Sequence, residues 1–177
     1  MRIQLPKPMS TRATSLKSHL PHKTAINLPD SARSQLVTLL NQQLANLADL
    51  HSQTKQAHWN VRGEEFYQLH KLFDDLAEPF DEFIDTVAER AVTLGGLALG
   101  TVRSAAAASE LKEFPLQPGG MEYAKELAQR FAKAANSVRD AIDTADDLGD
   151  KDTSDIFTQI SRELDKSVYF LEAHFRS

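Results

Sequence analysis

The chain has 177 residues, 41% of them hydrophobic and 25% charged, with a formal net charge of −5 at pH 7. This is ordinary for a soluble globular protein, and the length suits one domain with a sizeable core. It has no cysteine, which excludes disulfides, thiolate metal sites and cysteine nucleophiles and agrees with a cytoplasmic protein.

Residues 1–29 differ from the rest. Arg2, Lys7, Arg12, Lys17 and Lys23 stand there without a single acid, so the segment carries +5 and the remainder −10. Four of the seven prolines also fall in it. Such composition predicts a flexible basic tail ahead of a folded domain at 30–177. No apolar run of secretory-signal type is present, although the poverty of acids is shared with organelle transit peptides. The tail reads either as a solubilising arm or as a phosphate-binding arm, whose copies on an oligomer would give avidity for DNA. His19 and His22 are three apart, but two ligands without a third make a weak metal site.

A first helix is expected from about Pro29-Asp30 to Asn60, with Asp30 or Asn27 as its cap and Leu36, Val37, Leu39, Leu40, Leu44 and Leu47 in helical periodicity. His51 lies on it and reads as structural. A second helix is expected from about Glu64 to Leu94, ended by Gly95-Gly96. Pro79 interrupts it and should free the carbonyl of Asp75 and bend the helix. Residues 97–119 read as a long connection with a short helix near 101–108. The apolar stretch at 91–108 is broken by Gly95, Gly96, Gly100 and Arg103 and is no membrane span. A third helix is expected from about Met121 to Leu148. The fourth runs from about Thr153 to Phe175, with Asp152 as cap. The fold class is therefore all-α, four long helices with a short helix in the long crossover between the second and third. No repeat of 20–50 residues is visible.

The second helix carries the chemistry. His70 and Asp74 are four apart, as are Asp85 and Glu89, and residues four apart share a helix face. The four positions fall at roughly 0°, 40°, 60° and 100° around the axis. The ordinary reading of such charges is a solvated face, since Leu72, Phe73, Leu76, Phe80, Phe83, Ile84 and Val87 already supply a core stripe. As a metal site the stripe has a constraint. The midpoints of the pairs lie about 22 Å apart along a straight helix, whereas metal–ligand bonds are about 2 Å long. One helix cannot close one site with both pairs. A second copy, antiparallel about a two-fold axis, would set His70 and Asp74 of one chain opposite Asp85 and Glu89 of the other and create two equivalent sites. Upstream, His58 precedes Trp59, the chain's one tryptophan, and the turn-like Asn60-Val61-Arg62-Gly63.

The runs KQAHWNVRG, F-x-x-LH-x-x-x-D and D-x-x-AER-A-x-x-LGG between Lys55 and Gly96 resemble the Dps family, the mini-ferritins that protect DNA in starved bacteria. ALGT at 98–101, the ELA-x-R-F run near 126–131 and SRELDK at 161–166 extend the resemblance over about residues 30–175. It implies a ferritin-like four-helix bundle with a ferroxidase site of His58, His70, Asp74, Asp85 and Glu89, shared between two subunits. The Glu-x-x-His pairs of sites inside a single bundle are absent, which again points to an interface. The resemblance further implies iron as the metal, hydrogen peroxide or dioxygen as oxidant, ferric mineral in a hollow dodecamer, and iron access through acidic pores. Asp143, Asp146, Asp147, Asp150, Asp152 and Asp155 are the pore candidates, although a like-charge run is usually a solvated turn. Asp75, Glu78 and Glu82 are candidate mineral-nucleation carboxylates, or an exposed helix face. Trp59 beside a ligand is a candidate radical quencher, though a lone tryptophan is more often core. Imidazole and carboxylate suit iron better than softer metals.

Two other functions remain open on sequence. One is a DNA-compacting nucleoid protein acting through the basic tail. The other is a metal-free helical oligomer.

Overall fold

The computed structural model describes residues 20–116 and 119–176. Six helical segments follow in chain order: α1 (Asp30–Asn60), α2 (Phe66–Ala77), α3 (Phe80–Thr93), α4 (Val102–Ala108), α5 (Gly120–Asp147) and α6 (Lys151–Glu172). No strand occurs among the described residues. The bundle is built from α1, the α2–α3 pair, α5 and α6, with α4 in the crossover.

The expected second helix is two segments. Proline has no N–H to give to the carbonyl of Asp75. The ladder resumes on either side of this gap, with the Glu78 amide donating to Asp74 O (3.1 Å) and the Phe83 amide to Pro79 O (3.2 Å). Glu78 and Pro79 keep right-handed helical dihedrals. The discontinuity falls between the two candidate ligand pairs.

The core is continuous through all four layers. Phe73, Phe80, Phe131 and Phe157 are fully buried with Leu36, Leu40, Leu44 and Leu47. Phe80 meets Phe131 edge-on at 5.9 Å, which ties the α2–α3 junction to α5. Burying each such side chain contributes about 1.5–3 kcal/mol.

α1 has a second, polar ridge, and it is occupied by the crossover. Asn41 donates to Leu97 O (2.9 Å) and accepts from the Leu99 amide (2.7 Å). Gln42 donates to Ala108 O (2.9 Å), and Asn46 accepts from the Glu110 amide (2.9 Å). Gln53 and Gln56 donate to Lys112 O and Phe114 O. From Gln42 the steps to Asn46, Gln53 and Gln56 are four, seven and three, those of one helix face, with Asn41 at its edge. The crossover's irregular stretches on either side of α4, and the end of α4 itself, are thereby given partners for their backbone groups.

Two expected caps are corrected. Pro29 itself stands at the N-cap of α1, and no side chain caps that end; Asp30 lies in the first turn and pairs with Arg33 at 2.5 Å. α6 is capped by Asp150, which accepts from the Thr153 amide, and not by Asp152. The cause is Gly149. Its left-handed φ of +80° turns the chain immediately after α5, so α6 starts at Lys151 and Asp152 falls inside its first turn.

Residues 1–19, most of the expected tail, lie outside the described residues. Residues 20–29, the rest of it, are seated on the bundle. Leu20, Ile26 and Leu28 pack against the core, and the His22 amide donates to Gly95 O at 3.2 Å. Arg33 closes the contact, donating to Leu94 O (2.8 Å) and Leu28 O (3.3 Å). Gly95 has φ +89°, and a Cβ there would stand 2.5 Å from His22 O, so this end of α3 accepts only glycine without rearrangement.

Candidate metal centre

The last turn of α1 and the first turns of α2 meet across the turn at Gly63. They bring His58 and His70 face to face, ring centroids 3.8 Å apart and planes inclined by 22°. Each ring is held by the other residue's backbone. His58 Nδ1 lies 2.8 Å from His70 O, and His70 Nδ1 lies 3.0 Å from His58 O. A carbonyl only accepts, so both Nδ1 atoms carry the proton. That leaves Nε2 of each ring as the nitrogen with a free lone pair. A carbonyl holding Nδ1–H is the arrangement that orients a metal-binding histidine and fixes its tautomer. Phe66 leans against His70 at 5.1 Å.

Asp74 follows His70 by one turn on α2. Its Oδ1 lies 3.9 Å from His58 Nδ1 and accepts from Lys55 Nζ at 2.6 Å. The Lys55 hydrogen bond outweighs the desolvation of the carboxyl and, with the charges of Lys55 and Lys71, holds Asp74 below its ordinary value of 3.8. Asp74 is therefore ionised at neutral pH. Beside it an open groove of about 840 Å³ runs between α1 and α2, lined among others by His51, Lys55, Trp59, Asp75 and Asp81. His51 stacks on Phe80 and stands 4.0 Å from Asp81. Trp59 is 63% exposed, so it is not a core residue of the single chain.

Asp85 and Glu89 lie on the other side of the Pro79 break, both on the exposed face of α3. Among the described residues no three His, Asp or Glu side chains converge closely enough to hold one ion. The chain thus pairs His58 with His70, sets Asp74 beside them without closing a three-ligand cluster, and presents Asp85 and Glu89 apart on α3.

The acidic run between α5 and α6 divides in two. Asp150 is 3% exposed and binds Arg90 (2.7 Å) and the Thr153 hydroxyl (2.5 Å). Burial pushes its carboxyl up, but the hydrogen bonds from Arg90 and Thr153 and the Arg90 charge outweigh this and hold it below 3.8. Asp143, Asp146, Asp147, Asp152 and Asp155 stay exposed, with Asp146 paired to Lys151. Asp75, Glu78 and Glu82 are also exposed.

Two residues of consequence escaped the sequence reading. Lys55 stands one helical turn before His58 on the same face, a spacing that was available as a signal. Arg90 reaches residues about 60 positions away, and no local pattern announces that contact.

Four long helices, one long crossover and a histidine–carboxylate group on the bundle face define a ferritin-like protein. The family model described as a Ferritin-like domain matches residues 37–177. The DNA protection during starvation protein of Agrobacterium fabrum is 44% identical over 154 residues, covering 86% of this chain and 95% of that one. Among solved structures, DpsC of Streptomyces coelicolor superposes with a TM-score of 0.84 at 30% identity, covering 92% of this chain and 96% of that one. The Dps protein of Vibrio cholerae O1, described as a member of a broad superfamily of ferritin-like diiron-carboxylate proteins, gives 0.80 at 28% identity, covering 95% and 100%. The chain belongs to the Dps branch of the ferritin-like family.

Proposed function

We propose that the protein is an iron-oxidising, iron-storing mini-ferritin whose ferroxidase sites are shared between subunits. Each site takes His58, His70 and Asp74 from one subunit and Asp85 and Glu89 from the next, in a hollow shell of twelve. The observation that carries this reading is the reciprocal locking of His58 and His70 through their Nδ1 atoms, which leaves both Nε2 atoms without a protein partner among the described contacts, with the ionised Asp74 one turn along α2 from His70. These three residues lack the further carboxylates that a borderline-hard cation takes, and Asp85 and Glu89 are two exposed carboxylates at matching helical spacing.

Iron is the substrate. Two Fe(II) give one electron each to hydrogen peroxide, which takes up two protons, breaks its O–O bond and leaves as two waters, with two Fe(III) formed. Two-electron reduction releases no hydroxyl radical. With dioxygen as oxidant, two Fe(II) give it two electrons and it takes up two protons to form hydrogen peroxide, which two further Fe(II) reduce to two waters as above. The exposed carboxylates Asp75, Glu78 and Glu82 then offer the ferric product a surface on which to mineralise. Asp143, Asp146, Asp147, Asp152 and Asp155 are the exposed carboxylates that would draw cations toward the shell, although Asp146 pairs with Lys151 and Asp152 stands near Arg90; Asp150 leaves that group because it is buried and paired.

DNA protection is the second part of the reading. The Agrobacterium fabrum relative is named for it, and residues 1–19 hold four basic residues and no acid. On this reading the protein works in the cytoplasm, associated with the nucleoid where DNA is bound, in keeping with the name of that relative. No described helix is long and apolar enough to cross a membrane.

The test is Fe(II) addition to the purified oligomer, followed by the absorbance of ferric product, with peroxide and with dioxygen. Rapid oxidation, ferric iron co-eluting with a large closed oligomer, and loss of both in His58→Ala are expected. Oxidation at the rate of free Fe(II) in buffer overturns the reading and leaves the metal-free oligomer.

A further inference from the structure

Arg90 directly follows the candidate ligand Glu89, yet it faces the other way. Its guanidinium reaches from α3 to the start of α6 and makes three contacts there. Nε donates to the Thr153 hydroxyl at 3.0 Å, Nη2 donates to Asp150 Oδ1 at 2.7 Å, and Nη1 stands 3.7 Å from Asp152 Oδ2. Asp150 is itself fixed by the Thr153 hydroxyl and by capping α6. The Arg90 side chain is 12% exposed and that of Asp150 3%. Elsewhere α3 packs mainly on α1 and only sparsely on α6.

We infer that Arg90, anchored on Asp150 and Thr153, is a positioning residue that sets the roll of α3 about its axis and thereby aims Glu89 at the site of a second copy. The inference rests on the shared-site reading above. Its physical basis is leverage. Van der Waals packing of Val87, Ala91 and Leu94 resists separation of the helices better than it resists small rotation. A planar guanidinium gripping two fixed oxygens resists rotation, because its fork geometry is directional. A carboxylate on the exposed face lies about 5–6 Å from the helix axis. A roll of about 10° then moves it by about 1 Å, and a misplacement of that size costs on the order of a hundredfold in rate. Exposed Glu89 has no hydrogen bond through its carboxylate among the described contacts, so its aim is inherited from the backbone that Arg90 fixes.

The consequence is a division of labour in the acidic turn. Asp150 belongs with the site through Arg90, while its exposed neighbours face solvent. The ion pair also explains why a carboxylate is buried at this turn at all, since an unpaired one would be costly.

Two variants test this. Arg90→Gln alone leaves the buried Asp150 charge unpaired, so Arg90→Gln/Asp150→Asn is made beside it to keep a neutral, hydrogen-bonding pair in the same space. Arg90→Lys is the conservative variant, retaining one charged bond. Fe(II) oxidation per assembled oligomer should fall about ten- to a hundredfold in the double variant, as on loss of other supporting partners of metal ligands. The loss should lie in kcat rather than KM, and Arg90→Lys should recover part of it. A lower melting temperature with an unchanged rate makes Arg90 merely structural and overturns the inference.

A second readout needs no iron. The chain has no cysteine, so Glu89→Cys/Lys133→Cys takes spin labels at two chosen positions, diluted with unlabelled subunits. The label distance distribution should broaden or shift when Arg90→Gln/Asp150→Asn is added. An unchanged distribution overturns the inference. If the distribution responds but the unaltered protein oxidises no iron, Arg90 is upheld as the residue that positions Glu89 and the ferroxidase reading is what fails.

Discussion

Lys55 makes a prediction with an unexpected sign. Its ammonium sits 2.6 Å from Asp74 Oδ1, on a carboxylate that the proposed shared site would use for metal. An incoming divalent cation must displace it. The Lys55 and Asp74 side chains are 28% and 43% exposed and line an open groove, so water screens them well. With the dielectric of water, two unit charges at that separation attract by about 1.6 kcal/mol. Holding a long side chain in one geometry and ordinary salt reduce this to about 1 kcal/mol or less. Lys55→Met keeps the aliphatic stem and removes the charge. Binding of a redox-inert ion, Zn(II) or Co(II), should therefore tighten by up to about fivefold. Calorimetric titration of the assembled oligomer measures it, and the gain should shrink as salt approaches 1 M. Stability should change little. If Lys55→Met weakens Zn(II) binding, the ammonium supports the site rather than competing for it, and the placement of metal on Asp74 is wrong.

Other expectations follow from the same structure. Deleting residues 1–19 should leave iron oxidation and the melting temperature intact while weakening any DNA shift, which should itself fall steeply with salt; no shift by the full chain even at low salt makes the tail a solubilising arm. Deleting through residue 28 should also lower the melting temperature, because Leu20, Ile26 and Leu28 pack on the core, and equal melting of the two truncations refutes that anchoring. Asp150→Asn should cost on the order of 3 kcal/mol at pH 7 by leaving Arg90 unpaired. A carboxyl with a lowered folded pKa contributes stability that is complete above its unfolded value and lost as pH falls through its folded one. The variant's melting temperature should therefore decline less steeply than the unaltered protein's below about pH 4; parallel acid profiles refute the lowered pKa.

Periodicity made the helices legible because each long one turns an apolar stripe to a single core, even α1, which also buries Asn41, Gln43, Asn46, Gln53 and Thr54. What it missed has a common physical origin. The caps failed by a residue or two because a glycine with left-handed dihedrals and a proline decide where a chain turns, and both override the side chain best suited to capping. Asn41, Gln42, Asn46, Gln53 and Gln56 look like a solvated face in sequence. They are instead the hydrogen-bonding partners of the crossover, and nothing local distinguishes an amide bound to backbone from one bound to water. The candidate ligands were proposed from motif and spacing, and the distance between the two pairs excludes only a single site closed by one helix. The locking of His58 against His70 was not visible, since it depends on two backbone carbonyls brought together by the Gly63 turn. The Arg90–Asp150 pair joins positions 60 apart in sequence, a contact that only the packed bundle creates.

The central claim is that two subunits complete one site, and complementation between defective subunits tests it most directly. His70→Ala and Glu89→Ala are purified separately, dissociated, mixed in equal amounts and reassembled, with mixing verified by a mass tag on one variant. Neither substitution removes core packing. Alone, each variant damages every site and should oxidise iron slowly. In a mixed two-fold pair, one site receives His70 and Glu89 intact, and the other receives both defects. Random pairing restores roughly a quarter of all sites, so the mixed oligomer should recover about that share of the unaltered rate. Oligomers shown to be mixed that remain as inactive as either parent would place all five ligands within one subunit's site and contradict the account.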